Sequence, residues 1–329
     1  MRRRLGCTIG IVALASACDV PPTCGGRLLD ACRKAQDLAY AVGIQLADES
    51  STGNAIIGDV NAMGATGKAA VSVRVTGMPG DGARLEGVPV RTDGADNAST
   101  FSADRSTETA ISIDGVVGAW HGAPLGKLRF GGVDVLGSVV LTPNTNRGNL
   151  TFAGRPAFLG MGVRLGLIEE SRLVPAVSLT SMIRVAKRFS VDVPALPTDS
   201  GGFVKLKLER GDISSLEYRL ATSKKFGPFG LSSGIGQNNY YITSDYVVEG
   251  SGELGSGFEL ASFTIARTNM FVGATYTYDK LTLGAEFGRV TGGSTPEMRT
   301  RFGAHSATAP RNYLSVGIRV PAGRTLDKR

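Results

Sequence analysis

Residues 160–185 read GMGVRLGLIEESRLVPAVSLTSMIRV. Met161, Val163, Leu165 and Leu167 alternate with Gly162, Arg164 and Gly166. A polar link follows at 169–175, and then Val177, Leu179, Ile183 and Val185 alternate with Ser178, Thr180, Met182 and Arg184. A period of two on both sides of a proline-containing link is the pattern of a β-hairpin. One face is aliphatic; the other carries Arg, Gly, Ser and Thr. A soluble sandwich would turn the polar face to water, whereas a membrane barrel would turn the aliphatic face to lipid and the polar face to a lumen.

Outward from this hairpin the same alternation recurs. Val71, Val73 and Val75 oppose Ser72, Arg74 and Thr76; Val204, Leu206 and Leu208 oppose Lys205, Lys207 and Glu209. Leu281, Leu283, Ala285 and Phe287 oppose Thr282, Gly284 and Glu286, and Leu314, Val316, Ile318 and Val320 oppose Ser315, Gly317 and Arg319. Candidate strands cover 69–76, 108–119, 129–141, 157–168, 174–187, 203–210, 213–223, 227–236, 240–249, 257–266, 269–278, 280–291 and 311–320. Long gaps fall at 78–107, 142–156, 188–202 and 292–310. Single-chain bacterial barrels have even strand numbers, long loops outside and short turns inside. Merging 203–223 into one strand kinked at Gly211 satisfies both rules. It predicts an all-β fold, an antiparallel transmembrane β-barrel of about 12 strands (range about 10–14). Aromatic residues at segment ends (Trp120, Phe130, Phe158, Phe189, Phe226, Tyr240, Tyr241, Tyr278, Tyr313) suit interface girdles.

The N-terminus, MRRRLGCTIGIVALASAC, has a basic start, an apolar run and an Ala-Ser-Ala exit, the form of a secretory signal over residues 1–17. Its removal takes three arginines and no acid, lowering the formal charge from +7 to +4. No basic run suggests nucleic acid. Cys18 directly after the small residues opens a second reading, a lipidated cysteine. Export permits disulfides, and Cys24 and Cys32, bracketing a loop and helix start, are the expected pair. Residues 24–47 have near-helical spacing, so 18–66 is expected to be a short helix and loop, periplasmic or in the lumen as a plug. The barrel is expected over 67–320 and a tail over 321–329.

The chain resembles Gram-negative outer-membrane barrels of transport type with a cysteine-bearing helix before the barrel and glycine-rich strands. Cys24 and Cys32, GVRLGLIEESRLVPAVSL and the closing NYLSVGIRV carry the resemblance. It implies an outer-membrane location and a passive channel or transporter for small solutes, apolar ones included. Such barrels commonly end on an aromatic residue; this chain continues through PAGRTLDKR.

Few residues invite other chemistry. Gly230–Gly234 matches G-x-S-x-G around Ser232, but its flanks are strand-like where a nucleophile elbow needs strand, sharp turn and helix. His121 and His305 lack companions at metal-ligand spacing. The chain is expected to be no enzyme, to need no cofactor or metal, and to meet membrane lipid and small solutes as a monomer. Candidate pore-lining residues are Arg74, Arg164, Arg184, Lys205, Lys207, Glu286 and Arg319. They either bias the lumen toward anions or pair with lumen carboxylates. The alternative to a channel is a lipid-anchored surface or periplasmic β protein with a binding or structural role.

Overall fold

The computed structural model describes residues 24–58, 60–63, 68–85, 89–94, 99–125, 128–143, 146–154, 156–186, 188–294, 298, 300–302 and 306–322. The signal segment, Cys18, His305 and the tail after Ala322 lie outside these residues.

Ten antiparallel strands form a closed ring: β1 (Ala69–Arg84), β2 (Ser99–Trp120), β3 (Gly132–Leu141), β4 (Ala157–Ile168), β5 (Ala176–Ala186), β6 (Phe203–Phe226), β7 (Phe229–Gly250), β8 (Ser256–Tyr278), β9 (Leu281–Thr291) and β10 (Arg311–Ala322). Each pairs with its sequence neighbours, and β1 closes on β10 in the register Ala69↔Ala322 to Gly77↔Leu314. No ring strand is left with an unpaired edge, which is what a hydrocarbon environment demands of a sheet.

The strand count is ten, within the expected range of 10–14, and two further mergers take the central figure of twelve to it. The kink at Gly211 is present: β6 runs through a β-bulge between Glu209 and Asp212, where Arg210 has a φ of 50°. The segments 227–236 and 240–249 are likewise one strand, as are 257–266 and 269–278. The Gln237–Tyr240 and Arg267–Thr268 stretches look like breaks because both faces there carry polar groups. They are lumen residues on one side and a polar outer edge on the other. The expected loop 78–107 shortens to 85–98, because β1 and β2 extend well past their aliphatic portions.

The two-residue links sit at one end, together with 169–175. β6 and β7 are joined by Gly227-Pro228, β8 and β9 by Asp279-Lys280, and β4 and β5 by 169–175. The gap between β2 and β3 at this end carries a small hairpin, Ala123–Leu125 with Leu128–Phe130. At the other end are 85–98, 142–156, 187–202, 251–255 and 292–310. We call these the turn end and the loop end; by the general rule for such barrels the loop end faces outward from the cell.

One helix precedes the ring. After a 3₁₀ turn (Gly26–Leu28), α1 (Leu29–Ser51) runs for 23 residues, four residues past the expected limit of 47. Nearly every α1 side chain is buried, Lys34, Asp48 and Glu49 included. A helix buried all round has one place to go in a single-layer ring, the lumen.

Candidate functional site: the outer belt and the filled lumen

The outer face comes first, because it fixes the solvent. In the opening hairpin Met161 is 71% exposed and Leu159 63%, with Val163, Leu165, Leu167, Leu179, Ile183 and Val185 exposed beside them. The belt continues through Val73 and Val75 on β1, Ile113 and Val117 on β2, and Val135 and Val139 on β3. It closes through Leu220 on β6, Leu231 and Ile235 on β7, Val272 on β8, Leu283 and Phe287 on β9, and Val316 and Ile318 on β10. A contiguous apolar band on every strand is far beyond the patch of a few hundred Å² that a soluble monomer exposes. This is a membrane-spanning barrel.

Aromatic side chains rim the belt at the turn end: Phe226, Phe229, Tyr276 and Tyr278 are exposed, with the Phe229 and Tyr276 rings 5.2 Å apart. Trp120 joins them and Tyr241 lies on the outer face of β7. Four aromatics expected in a girdle are instead inside. Phe158, Phe189 and Tyr240 are buried in the core around α1, and Tyr313 is buried in the polar compartment, where its hydroxyl bonds Asn269 and Glu286.

The lumen has two compartments. Toward the loop end the helix is embedded in an apolar core. Leu38, Ile44 and Leu46 of α1 belong to one cluster with Phe101, Phe152, Phe158, Val204, Leu206, Leu208, Tyr246, Val248 and Phe263. Tyr40 packs edge-on against Phe263, ring centroids 4.6 Å apart. The 142–156 link folds inward here, burying Leu150 and Phe152. This core corrects the placement of Lys205 and Lys207. Val204, Leu206 and Leu208 face the helix, so the two lysines point outward, beyond the apolar belt; Lys207 is 47% exposed and pairs with Glu209 at 2.9 Å. The bulge at 209–212 then shifts the phase, and Glu217 and Arg219 further along β6 face inward.

Toward the turn end the lumen is polar. Of the remaining candidates, Arg74, Arg164, Arg184 and Glu286 face inward and are buried, and half-buried Arg319 shares their face opposite Ser72 and Thr282. The cations meet carboxylates: Arg164 pairs with Asp134 at 2.7 Å, Arg74 with Asp114 at 3.7 Å, and Arg184 with Glu217. Glu286 receives hydrogen bonds from the Asn54 N–H (3.0 Å) and the Tyr313 hydroxyl (3.0 Å). Sequence reasoning missed the partners on the helix. Asp48 pairs with Arg267 (3.1 Å) and Arg311 (3.8 Å), and Glu49 with Arg147 (2.6 Å). Arg267 and Arg147 sit on a strand read as broken and in a link read as an outer loop. The available signal was acidic Asp48-Glu49 near the end of an otherwise apolar helical run.

Residues 52–58 and 60–63 continue from α1 as a strap of turns and bends down the polar compartment. Arg74 Nη1 donates to the Asn54 carbonyl at 2.6 Å and Arg219 to the Ser51 carbonyl. Ile57 lies so close to β9 and β10 that a Cβ on Gly284 or Gly317 would come within 1.8 and 2.4 Å of its side chain. The Val60 N–H donates to Ser223, Asn61 exchanges hydrogen bonds with Glu170, and the Met63 N–H donates to Asp134. Two small cavities lie among the inward-facing residues. One of about 20 Å³ lies between α1 and Arg147, Leu150 and Arg311, and one of about 10 Å³ is lined by Arg184, Glu217 and Arg219. Each holds about one water molecule.

Cys24 and Cys32 form the expected disulfide, Cα atoms 5.9 Å apart, against Gly257 at the loop end. Ser232 is the fourth residue of β7, near the turn end, paired to Ser223 and Gly273 within a continuous strand that lacks the strand–turn–helix of a nucleophile elbow. His121 is exposed at the turn end, and the described residues hold no cluster of metal-ligating side chains. Arg210-Gly211-Asp212 forms the bulge of β6.

No family model matches the chain, and no curated protein matches it. Solved structures similar to it are outer-membrane barrels. The translocator domain of the autotransporter NalP from Neisseria meningitidis aligns with a TM-score of 0.41 at 10% identity, over 88% of this chain and 96% of that one. The outer membrane protease OmpT from Escherichia coli gives 0.39 at 10%, over 80% and 99%. The Pseudomonas putida toluene transporter TodX gives 0.32 at 12%, over 81% and 96%. The closed ten-stranded ring and its apolar belt are the architecture of an outer-membrane β-barrel.

Proposed function

We propose that the protein is a monomeric, non-enzymatic outer-membrane transport barrel that rests closed, its own N-terminal segment serving as the plug. The supporting observation is the unequal way the two halves of the plug are held. Helix α1 is packed in an apolar core, whose removal to water would expose many large side chains at about 1.5–3 kcal/mol each. The strap (52–58 and 60–63) buries fewer large side chains, Ile56, Ile57 and Val60, and is otherwise held by hydrogen bonds and charge-assisted contacts, each worth about 0.5–3 kcal/mol net because water can replace them. The strap is therefore the part that yields, while the helix stays. A small solute would cross when the strap swings aside, through a lumen whose arginines are matched by carboxylates. The position of Ser232 within an unbroken strand supports a role without catalysis.

The test is ion conductance in planar bilayers. The full-length barrel should be silent apart from brief openings, and a variant lacking residues 24–63 should conduct steadily. A steadily open full-length barrel, or a folded plugless barrel that stays silent, would sink the proposal.

A further inference from the structure

We infer that the segment from Cys24 to Lys68 threads the whole lumen from the loop end to the turn end, so that chain preceding Cys24 is presented on the outer surface of the cell. The path is fixed at successive levels. Cys24 Sγ lies against Gly257, beside the 251–255 loop. The Asp30 carboxylate accepts from the Arg91 N–H of the 85–98 link at 2.9 Å. Gly43 is opposite Ile242, and the Ser51 hydroxyl bonds Tyr240, further along β7 toward the turn end. Ile57 reaches Gly284 and Gly317; Asn61 and Glu170 then bond within the 169–175 link at the turn end. Lys68, whose carbonyl accepts from the Gly118 N–H at 2.8 Å, leads into β1 at Ala69, in the same layer. A helix that entered from the turn end would show the opposite order.

Two features hold the exit. The Cys24–Cys32 crosslink ties the emerging chain to the first turn of α1. Lys34 and Asp30 pair within that turn, buried under the 85–98 link. The function this adds is display. Whatever the N-terminal residues carry, a lipid on Cys18 included, would emerge among the outer loops, and a lipid there would enter the outer leaflet.

The experiment inserts a short epitope with a protease site after Pro22 in the full chain, with two reference insertions in separate chains, after Gly94 and after Arg172. Antibody labelling and protease cleavage are read on intact cells and after outer-membrane permeabilisation. The Pro22 and Gly94 tags should be labelled and cut on intact cells. The Arg172 tag should gain at least tenfold on permeabilisation. A Pro22 tag reached only after permeabilisation overturns the inference. If the Gly94 tag is then still reached from outside, the threading is wrong; if the Arg172 tag is reached instead, the orientation is. Neither outcome depends on conductance, so the transport proposal stands or falls separately.

Discussion

Val163→Arg tests the solvent of the outer belt. Val163 is at the centre of the exposed series Leu159, Met161, Val163, Leu165, Leu167 on β4, paired to Val135 on one side and Ser181 on the other. Strands of this kind rise about 3.3 Å per residue and tilt about 40°, so each residue climbs roughly 2.5 Å along the membrane normal. Leu159 and Leu167 are then about 10 Å above and below Val163, which puts position 163 near the midplane of a band about 25 Å tall. Arginine at the midplane costs about 2–4 kcal/mol, a shift of roughly 30-fold or more in the folding constant. On a water-facing strand the same change would be worth within about 0.5 kcal/mol. Leu173→Arg is the internal control: Leu173 is 88% exposed in the turn-end link, where the cost falls to about 0–1 kcal/mol. Reversible urea unfolding in lipid vesicles, followed by gel migration before and after heating, measures both variants. Equal stabilities for the two, within about 0.5 kcal/mol, would refute the membrane belt.

Gly284→Val should force Ile57 and the strap off β9, raising the open fraction in bilayers while heat-modifiable migration is kept. Arg267→Ala should cost about 3–5 kcal/mol in vesicle unfolding, because it strips buried Asp48 of its nearer partner; adding Asp48→Asn should recover much of that loss. Replacing Cys24 and Cys32 together by Ser frees a short loop whose crosslink is worth roughly 2–3 kcal/mol. Limited proteolysis should then cut near Arg27 and Arg33 faster, with the ring strands still protected.

The belt was legible because a lipid-facing sheet writes itself in period two. Alternation grouped Met161, Val163, Leu165, Leu167, Leu179, Ile183 and Val185 on one face of β4 and β5, and it set Arg74, Arg164, Arg184 and Glu286 each on the opposite face of its strand. Alternation says which residues share a face, and not which face is in. Lys205 and Lys207 look like Arg164 and Arg184 in sequence. They lie opposite because beyond the membrane the outer face is wet and the inner one packs on a helix. The strand number fell at the low end of the expected range for a related reason: Gln237–Tyr240 on β7 lacks a greasy face where the strand leaves the belt, although its hydrogen bonding is unbroken. The Glu49–Arg147 and Asp48–Arg267 pairs join residues far apart in sequence, which local patterns cannot connect.

The seam between β1 and β10 has a consequence for assembly. It joins the first strand of the ring to the last, from Ala69↔Ala322 to Gly77↔Leu314, so its closure is the most non-local step in the chain. A helix of 23 residues already tied by a crosslink must be lying in the trough of the open sheet when that seam zips, or be drawn lengthwise through a finished ring. The first order exposes no apolar helix to a closed pore and lets α1 template the inward faces of β6, β7 and β8. The plug thus acts as the mandrel on which the barrel is wound.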